Sequence, residues 1–189
     1  SGTGHSDLGD ILVVPTTGEL KLNPGTEENP DSGYRSRFSH DTEKSMPGYY
    51  EVMLEDYNVK AQLTATQRVG VHKYTFPKDK DGRIVLDLNH GIYNYDGKTL
   101  WASIRVENDR LITGYRITNG WARTNYTYFA ISFSQPIKNY GYKDFQKILY
   151  NGFWRKFPVG NNFPEMAGRK VVSYFEFDTE ANPELTVKV

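Results

Sequence analysis

From Val59 to Thr66 the chain alternates without a break: Val59, Ala61, Leu63 and Ala65 fall on one side, Lys60, Gln62, Thr64 and Thr66 on the other. A period of two is the repeat of an extended strand, and its apolar face needs a second layer to cover it. The pattern returns further on. Ile84, Leu86 and Leu88 alternate with Val85, Asp87 and Asn89. Leu100, Ala102, Ile104 and Val106 share a face opposite Trp101, Ser103, Arg105 and Glu107. Asn108-Asp109 then supplies a turn, and Leu111, Thr113, Tyr115 and Ile117 lead back, which reads as a hairpin.

Similar reasoning predicts strands over residues 11–14, 69–76, 126–134, 148–155, 171–178 and 185–189. The first is closed by Pro15 and the turn Thr16-Thr17-Gly18, and the second by Pro77 and a hairpin turn ending at Gly82. Residues 21–32, 140–147 and 159–168 are rich in Gly, Pro, Asn or charge and read as loops. No long segment keeps a helical period. Many short strands without intervening helices predict an all-β fold, an antiparallel β-sandwich rather than a barrel, as one domain over residues 1–189. An aromatic content of 14% agrees, because aromatic rings fit pleated surfaces.

Charge narrows the function classes. The 23 basic residues are balanced by 23 acidic ones, so no nucleic-acid partner is expected. No segment approaches the roughly 18 apolar residues of a membrane span. The absence of cysteine excludes disulfides and Cys-ligated zinc. Ser1 is preceded by neither Met nor a signal-like segment, so a removed leader or an excised piece is expected.

Motifs for chemistry are sparse. His5, His40, His72 and His90 show no metal-binding spacing, and His72 and His90 are expected to be structural. Asp79-x-Asp81-Gly82 lacks the remaining ligands of a calcium loop and reads as a plain turn. Ser39-His40-Asp41 is not a triad, whose members meet in space rather than along the chain. Sugar contact is better represented, since sugar rings stack on aromatics and their hydroxyls pair with forked polar groups. Tyr34, Arg35, Arg37, Phe38 and His40 form one candidate cluster and Asn119, Gly120 and Trp121 another, with Trp121 expected to serve packing.

Residues 33–77 resemble the N-terminal domain of glycoside hydrolase family 92, exo-acting α-mannosidases abundant in gut Bacteroidetes. The likeness is carried by Ser36-Arg37-Phe38-Ser39-His40, Pro47-Gly48-Tyr49-Tyr50, Leu63-Thr64-Ala65-Thr66, Arg68-Val69-Gly70, His72 and Tyr74-Thr75-Phe76-Pro77. Upstream, Ser1-Gly2-Thr3-Gly4, Asp7-Leu8-Gly9-Asp10-Ile11 and Pro15-Thr16-Thr17-Gly18 continue it. Downstream it runs through Gly114-Tyr115-Arg116, Asn119-Gly120-Trp121-Ala122 and Tyr128-Phe129-Ala130.

The resemblance implies a supersandwich of the galactose-mutarotase-like kind, truncated at both ends, that packs on an (α/α)6 catalytic domain. It implies calcium-dependent hydrolysis of α-mannoside glycans with inversion, in a periplasmic or secreted bacterial protein. Inverting hydrolysis needs an acid and a base about 6.5–9.5 Å apart. In the family those carboxylates and the calcium belong to the full-length enzyme, so this chain alone is expected to bind no calcium and to be inactive. No catalytic or metal residue is carried over. Arg37 and His40 are the candidates for the mannose pocket or the inter-domain face. The rival reading is a stand-alone carbohydrate-binding or adhesion module. Upstream strands missing from the sandwich would leave open edges, which predicts edge-to-edge association.

Overall fold

The structure, a computed structural model, describes residues 11–91, 95–143 and 164–189. These residues form β1 (Leu12–Thr17), β2 (Lys44–Met46), β3 (Tyr49–Leu54), β4 (Val59–Ala65), β5 (Gly70–Thr75), β6 (Gly82–Asp87) and β7 (Thr99–Asn108). They continue with β8 (Leu111–Thr118), β9 (Asn125–Phe133), β10 (Asn139–Tyr142), β11 (Glu165–Gly168), β12 (Val172–Phe177) and β13 (Glu184–Lys188). A four-stranded sheet has the order β1-β6-β12-β10, and a nine-stranded sheet the order β11-β7-β8-β9-β13-β5-β4-β3-β2. The paired strands are antiparallel, as in a β-sandwich.

The core lies between the sheets. Ile84, Leu86, Phe175 and Phe177 of the small sheet meet Val59, Tyr74, Ile104, Ile112, Ile131, Phe133, Leu185 and Val187 of the large one. Phe133 packs against Phe175 and Phe177 at ring-centre distances of 5.8 and 5.0 Å, within the range where aromatic pairs attract.

Several expectations are modified, each for a physical reason. Pro15 does not close β1 but lies inside it, opposite Ile84 of β6. Among the described residues β1 is an edge strand, so the N–H that proline lacks can face away from the ladder. On β4, Val59 and Ala61 are buried as the alternation requires, whereas Leu63 is half-buried and Ala65 exposed. Among the described residues four strands face nine, and the apolar face of the large sheet outruns its cover. All six residues of β6 are buried, because its outer face is covered as well as its inner one.

Leu100 does not join Ala102 and Ile104 in the core. The register of β7 against β8 shifts between Thr99 and Trp101, which leaves Leu100 as the extra residue of a bulge, turns it outward and buries Thr99. The turn before Gly82 is not a hairpin turn either: it carries the chain from β5 in the large sheet to β6 in the small one. Thr179 braces it, accepting from the Gly82 N–H at 2.6 Å and donating to the Lys80 carbonyl at 3.0 Å. Parts of two expected loops are strands, β10 and β11, and the expected strand at 148–155 lies outside the described residues.

β2 and β3 were not expected, because Glu51 interrupts the apolar pattern. The fold buries Glu51 with its charge satisfied. Its carboxylate accepts from Tyr49 at 2.5 Å and from Gln62 at 2.9 Å, and pairs with Lys60 at 3.0 Å and Lys44 at 3.3 Å. The Tyr49 hydrogen bond, then the two lysines, hold it down to about 2.

Gly114 offers a direct test of the large sheet. It pairs with Ile104 on one side and Phe129 on the other, and a Cβ there would meet the Ser103 carbonyl and sit 2.5 Å from Phe129 Cζ. The carbonyl cannot move without opening the ladder. Gly114→Ala is expected to destabilise the chain by about 1–3 kcal/mol, read as a lower denaturant midpoint at unchanged slope. An unchanged midpoint would show that the Phe129 ring and the ladder yield freely.

Candidate functional site

The approach to β2 follows from a second, smaller core on the outside of the four-stranded sheet. Tyr34, Val85, Val172 and Tyr174 are buried there, with Leu12, Val14 and Leu22 packed against them. Tyr34 donates its hydroxyl to Asp87 Oδ2 at 2.7 Å. The other oxygen of Asp87 accepts the backbone N–H groups of Asn89 and His90 at 2.7 and 3.1 Å. Burial first, and the Asp87 charge second, push the Tyr34 phenol well above its ordinary range.

Arg37 follows three residues later and is itself clamped. Its Nε and a terminal guanidinium nitrogen donate to Asp56 Oδ1 at 2.8 and 2.5 Å, and its backbone N–H donates to Asp56 Oδ2 at 2.6 Å. Asp31 adds a second carboxylate at 3.0 Å. Ser36 Oγ accepts the Asp56 N–H at 3.2 Å, and the Arg37 carbonyl accepts the Glu55 N–H at 3.0 Å. The segment is thus zipped to the β3–β4 turn, where Asn58 adopts φ 51°. Hydrogen bonds from the Arg37 side chain hold the Asp56 carboxyl below its usual range. Arg37 and Asp56, with Asp31, Arg35, Tyr57 and Lys80, line an open polar cleft of about 330 Å³.

His40 belongs to another network. It starts a short 3-10 turn, His40–Thr42, capped by Ser39, whose Oγ accepts the Asp41 N–H at 3.1 Å. His40 Nδ1 lies 2.6 Å from Glu43 Oε2, and Tyr50 donates to the other Glu43 oxygen at 2.5 Å. The Phe38 ring meets the imidazole edge-on at 5.5 Å. The Tyr50 hydrogen bond, then His40, lowers the Glu43 pKa. His40 is 86% exposed at its side chain and does not line the Arg37 cleft. The two candidates are neighbours in sequence and occupy separate networks.

Trp121 is not a packing residue of the core: it is 82% exposed, in the connection between β8 and β9. His72 and His90 are partly buried, as a structural role requires. His72 Nδ1 is 2.8 Å from the Tyr74 hydroxyl, and burial lowers both imidazoles. Among the described residues no three His, Asp or Glu side chains converge to hold a metal ion. Sequence reasoning missed Asp56, Asp31 and Asp87, the partners that fix the loop. No spacing rule links Arg37 to a carboxylate 19 residues on, or Tyr34 to one 53 residues on.

The family model of the glycosyl hydrolase family 92 N-terminal domain matches residues 1–189. The chain belongs to family 92. A family 92 α-mannosidase from Bacteroides thetaiotaomicron, solved with mannoimidazole, superposes with a TM-score of 0.84 at 41% identity, covering 100% of this chain and 24% of that one. A family 92 inverting mannosidase from the same organism gives 0.67 at 29% identity, covering 94% and 21%. A further family 92 glycosyl hydrolase gives 0.71 at 25% identity, covering 95% and 23%. The chain therefore spans about a quarter of the length of these family 92 relatives. No curated protein matches it.

The Arg37–Asp56 clamp makes a pH prediction. Asp56 and Glu43 both titrate lower in the folded chain than in the unfolded one, where values are about 3.9 and 4.3. Their stabilisation is therefore present above those values and is lost as pH falls through the depressed folded ones. Asp56→Asn is expected to lower the melting temperature at pH 7 and to have a smaller effect at pH 3. Equal shifts at both pH values would show that the ion pair does not anchor this segment.

Proposed function

We propose that this family 92 domain is the N-terminal part of a calcium-dependent, inverting exo-α-mannosidase of the bacterial periplasm or exterior. In this reading it packs on an (α/α)6 catalytic domain and walls one side of the sugar pocket. The observation that carries the reading is the family match over residues 1–189 together with mannosidase relatives four times as long. Arg37 is the residue best suited to the pocket wall. Its guanidinium is held by two carboxylates at the rim of a cleft of about 330 Å³, so little ordering is needed before it meets a sugar hydroxyl. His40, fixed by Glu43 and exposed, is assigned to the face that meets the catalytic domain.

Calcium supplies Lewis-acid and orienting chemistry where it is bound. The described residues offer no cluster that fits it, so its ligands are assigned to the rest of the enzyme. The acid and base are assigned there too, and the chain alone to an inactive wall.

The full-length enzyme is expected to release mannose from α-mannosides with calcium and to lose that activity on chelation, while the 189-residue chain shows no turnover. Arg37→Ala in the full-length enzyme is expected to raise KM more than it lowers kcat. Turnover by the isolated chain would sink the division of labour, and an inert full-length protein would sink the mannosidase reading. Calorimetric binding of α-mannosides to the chain alone would favour a carbohydrate-binding module.

A further inference from the structure

The cleft beside Arg37 presents more donors than the fold itself uses. Every residue that lines it is described, and it sits at the Thr17–Gly82 end of the β1–β6 pair. Leu12, Asn89 and Lys143 lie towards the other end, near Asp87. Val189 bonds to Gly70, at the end of β5 away from Lys80.

Most of its charges are already committed. Arg37 pairs with Asp31 and Asp56, and the Lys21 ammonium donates to the Asp31 carbonyl at 2.6 Å. Arg35 and Lys80 are different. Both are exposed, and among the described residues no hydrogen bond or ion pair reaches either head group. With Glu19 as the third carboxylate, four cations and three carboxylates line the cleft, which leaves a single positive charge.

The same cleft presents a phenol. Tyr57 is 7% exposed, and its ring belongs to the core between the sheets. The β3–β4 turn fixes it: its N–H donates to the Leu54 carbonyl at 3.3 Å, and its carbonyl accepts the Thr17 hydroxyl at 3.1 Å. Its own hydroxyl has no partner among the described residues and is not sealed from solvent. Polar groups on so buried a side chain are ordinarily paired, so an unmatched one at a cleft suits an acceptor brought by a ligand. Burial first, and the Asp56 charge second, push the phenol up to about 12, so at neutral pH it remains a donor.

We propose that this cleft binds a sugar acid, a uronic acid, whose carboxylate is held by Arg35, Lys80 and the Tyr57 hydroxyl. The proposal rests on the reading that places Arg37 at the rim of a sugar pocket, and adds a charge to what that pocket accepts. An arginine fork, an ammonium and a phenol O–H are donors matched to a carboxylate. One negative charge balances the cleft, whereas a phosphate, at about −1.5 to −2, would overfill it. A volume of about 330 Å³ is in the range of small-ligand pockets and exceeds what a bare carboxylate needs. Glu19, without a partner among the described residues, is left to accept from the hydroxyls of the ring.

The test is calorimetric titration of the full-length enzyme with D-glucuronate at low salt, with acetate and D-mannose in parallel. Glucuronate is expected to bind, and Tyr57→Phe, which keeps the ring in the core, to weaken it about tenfold. Lys80→Gln is expected to weaken it about fivefold, with Lys80→Arg restoring most of the affinity. Arg35 also borders a second cleft, at Tyr34, Asp87 and His90, so Tyr57 and Lys80 are the positions that assign the ligand to the first. No binding of glucuronate would overturn the proposal, as would binding that ignores both substitutions. Acetate binding as tightly as glucuronate would overturn the sugar acid in favour of a bare carboxylate. D-mannose weakened by the same substitutions to the same degree would overturn the preference for an acid. None of these readouts needs turnover, so α-mannoside hydrolysis measured on the same protein shows separately whether the enzyme reading fails.

Discussion

One buried hydrogen bond, from the Tyr34 hydroxyl to Asp87, decides where the candidate residues can be. It fixes the loop before β2 on the small sheet, where Tyr34 and Leu22 also pack in the outer core. Asp87 is on β6, the strand that the fold buries on both faces, so its charge sits where unpaired charge is costly. The carboxylate is tolerated because three donors converge on it, the Tyr34 hydroxyl and two backbone N–H groups. The contact also seals the outer core of Val85, Val172 and Tyr174. Arg37 is then delivered to the β3–β4 turn, and Asp56 completes the placement.

The strands were legible wherever a single face was buried. β4 and β7 announce themselves by alternation, and Val59, Ala61, Ala102 and Ile104 are core residues, whereas β8 buries Ile112, Arg116 and Thr118 rather than the alternating set Leu111, Thr113, Tyr115 and Ile117. Legibility failed where burial and period parted. β3 carries a buried glutamate whose lysine partners come from β2 and β4, a compensation invisible to a pattern of apolar positions. Leu100 kept the expected parity in sequence and lost it to one extra residue in the ladder. The connection at Lys80 has the composition of a hairpin turn, but composition does not say whether a turn returns to the same sheet.

The candidate site was legible only as a loop rich in Arg, Phe and His. That Arg37 and His40 would each be answered by a carboxylate was a matter of fold, since Asp56 is contributed by a turn and Glu43 by the residue that leads into β2. Trp121 shows the opposite error. Aromatic residues in sandwiches are so often packing that exposure at 82% could not be anticipated from its neighbours.

The electrostatics of the described residues also bear on the proposed division of labour. Glycoside hydrolysis by inversion requires a carboxyl kept protonated near neutrality, hence one with a raised pKa. The displaced carboxyls described here, Glu28, Glu43, Glu51 and Asp56, are all displaced downward by hydrogen bonds and cations. Such groups hold charge and geometry and give up protons too readily to act as acids. A domain built this way can fix a guanidinium at a pocket rim, but proton transfer to a leaving sugar needs a carboxyl in drier, less cationic surroundings. The proposed partition, with a β-sandwich wall on one side and acid–base chemistry on the other, agrees with that requirement.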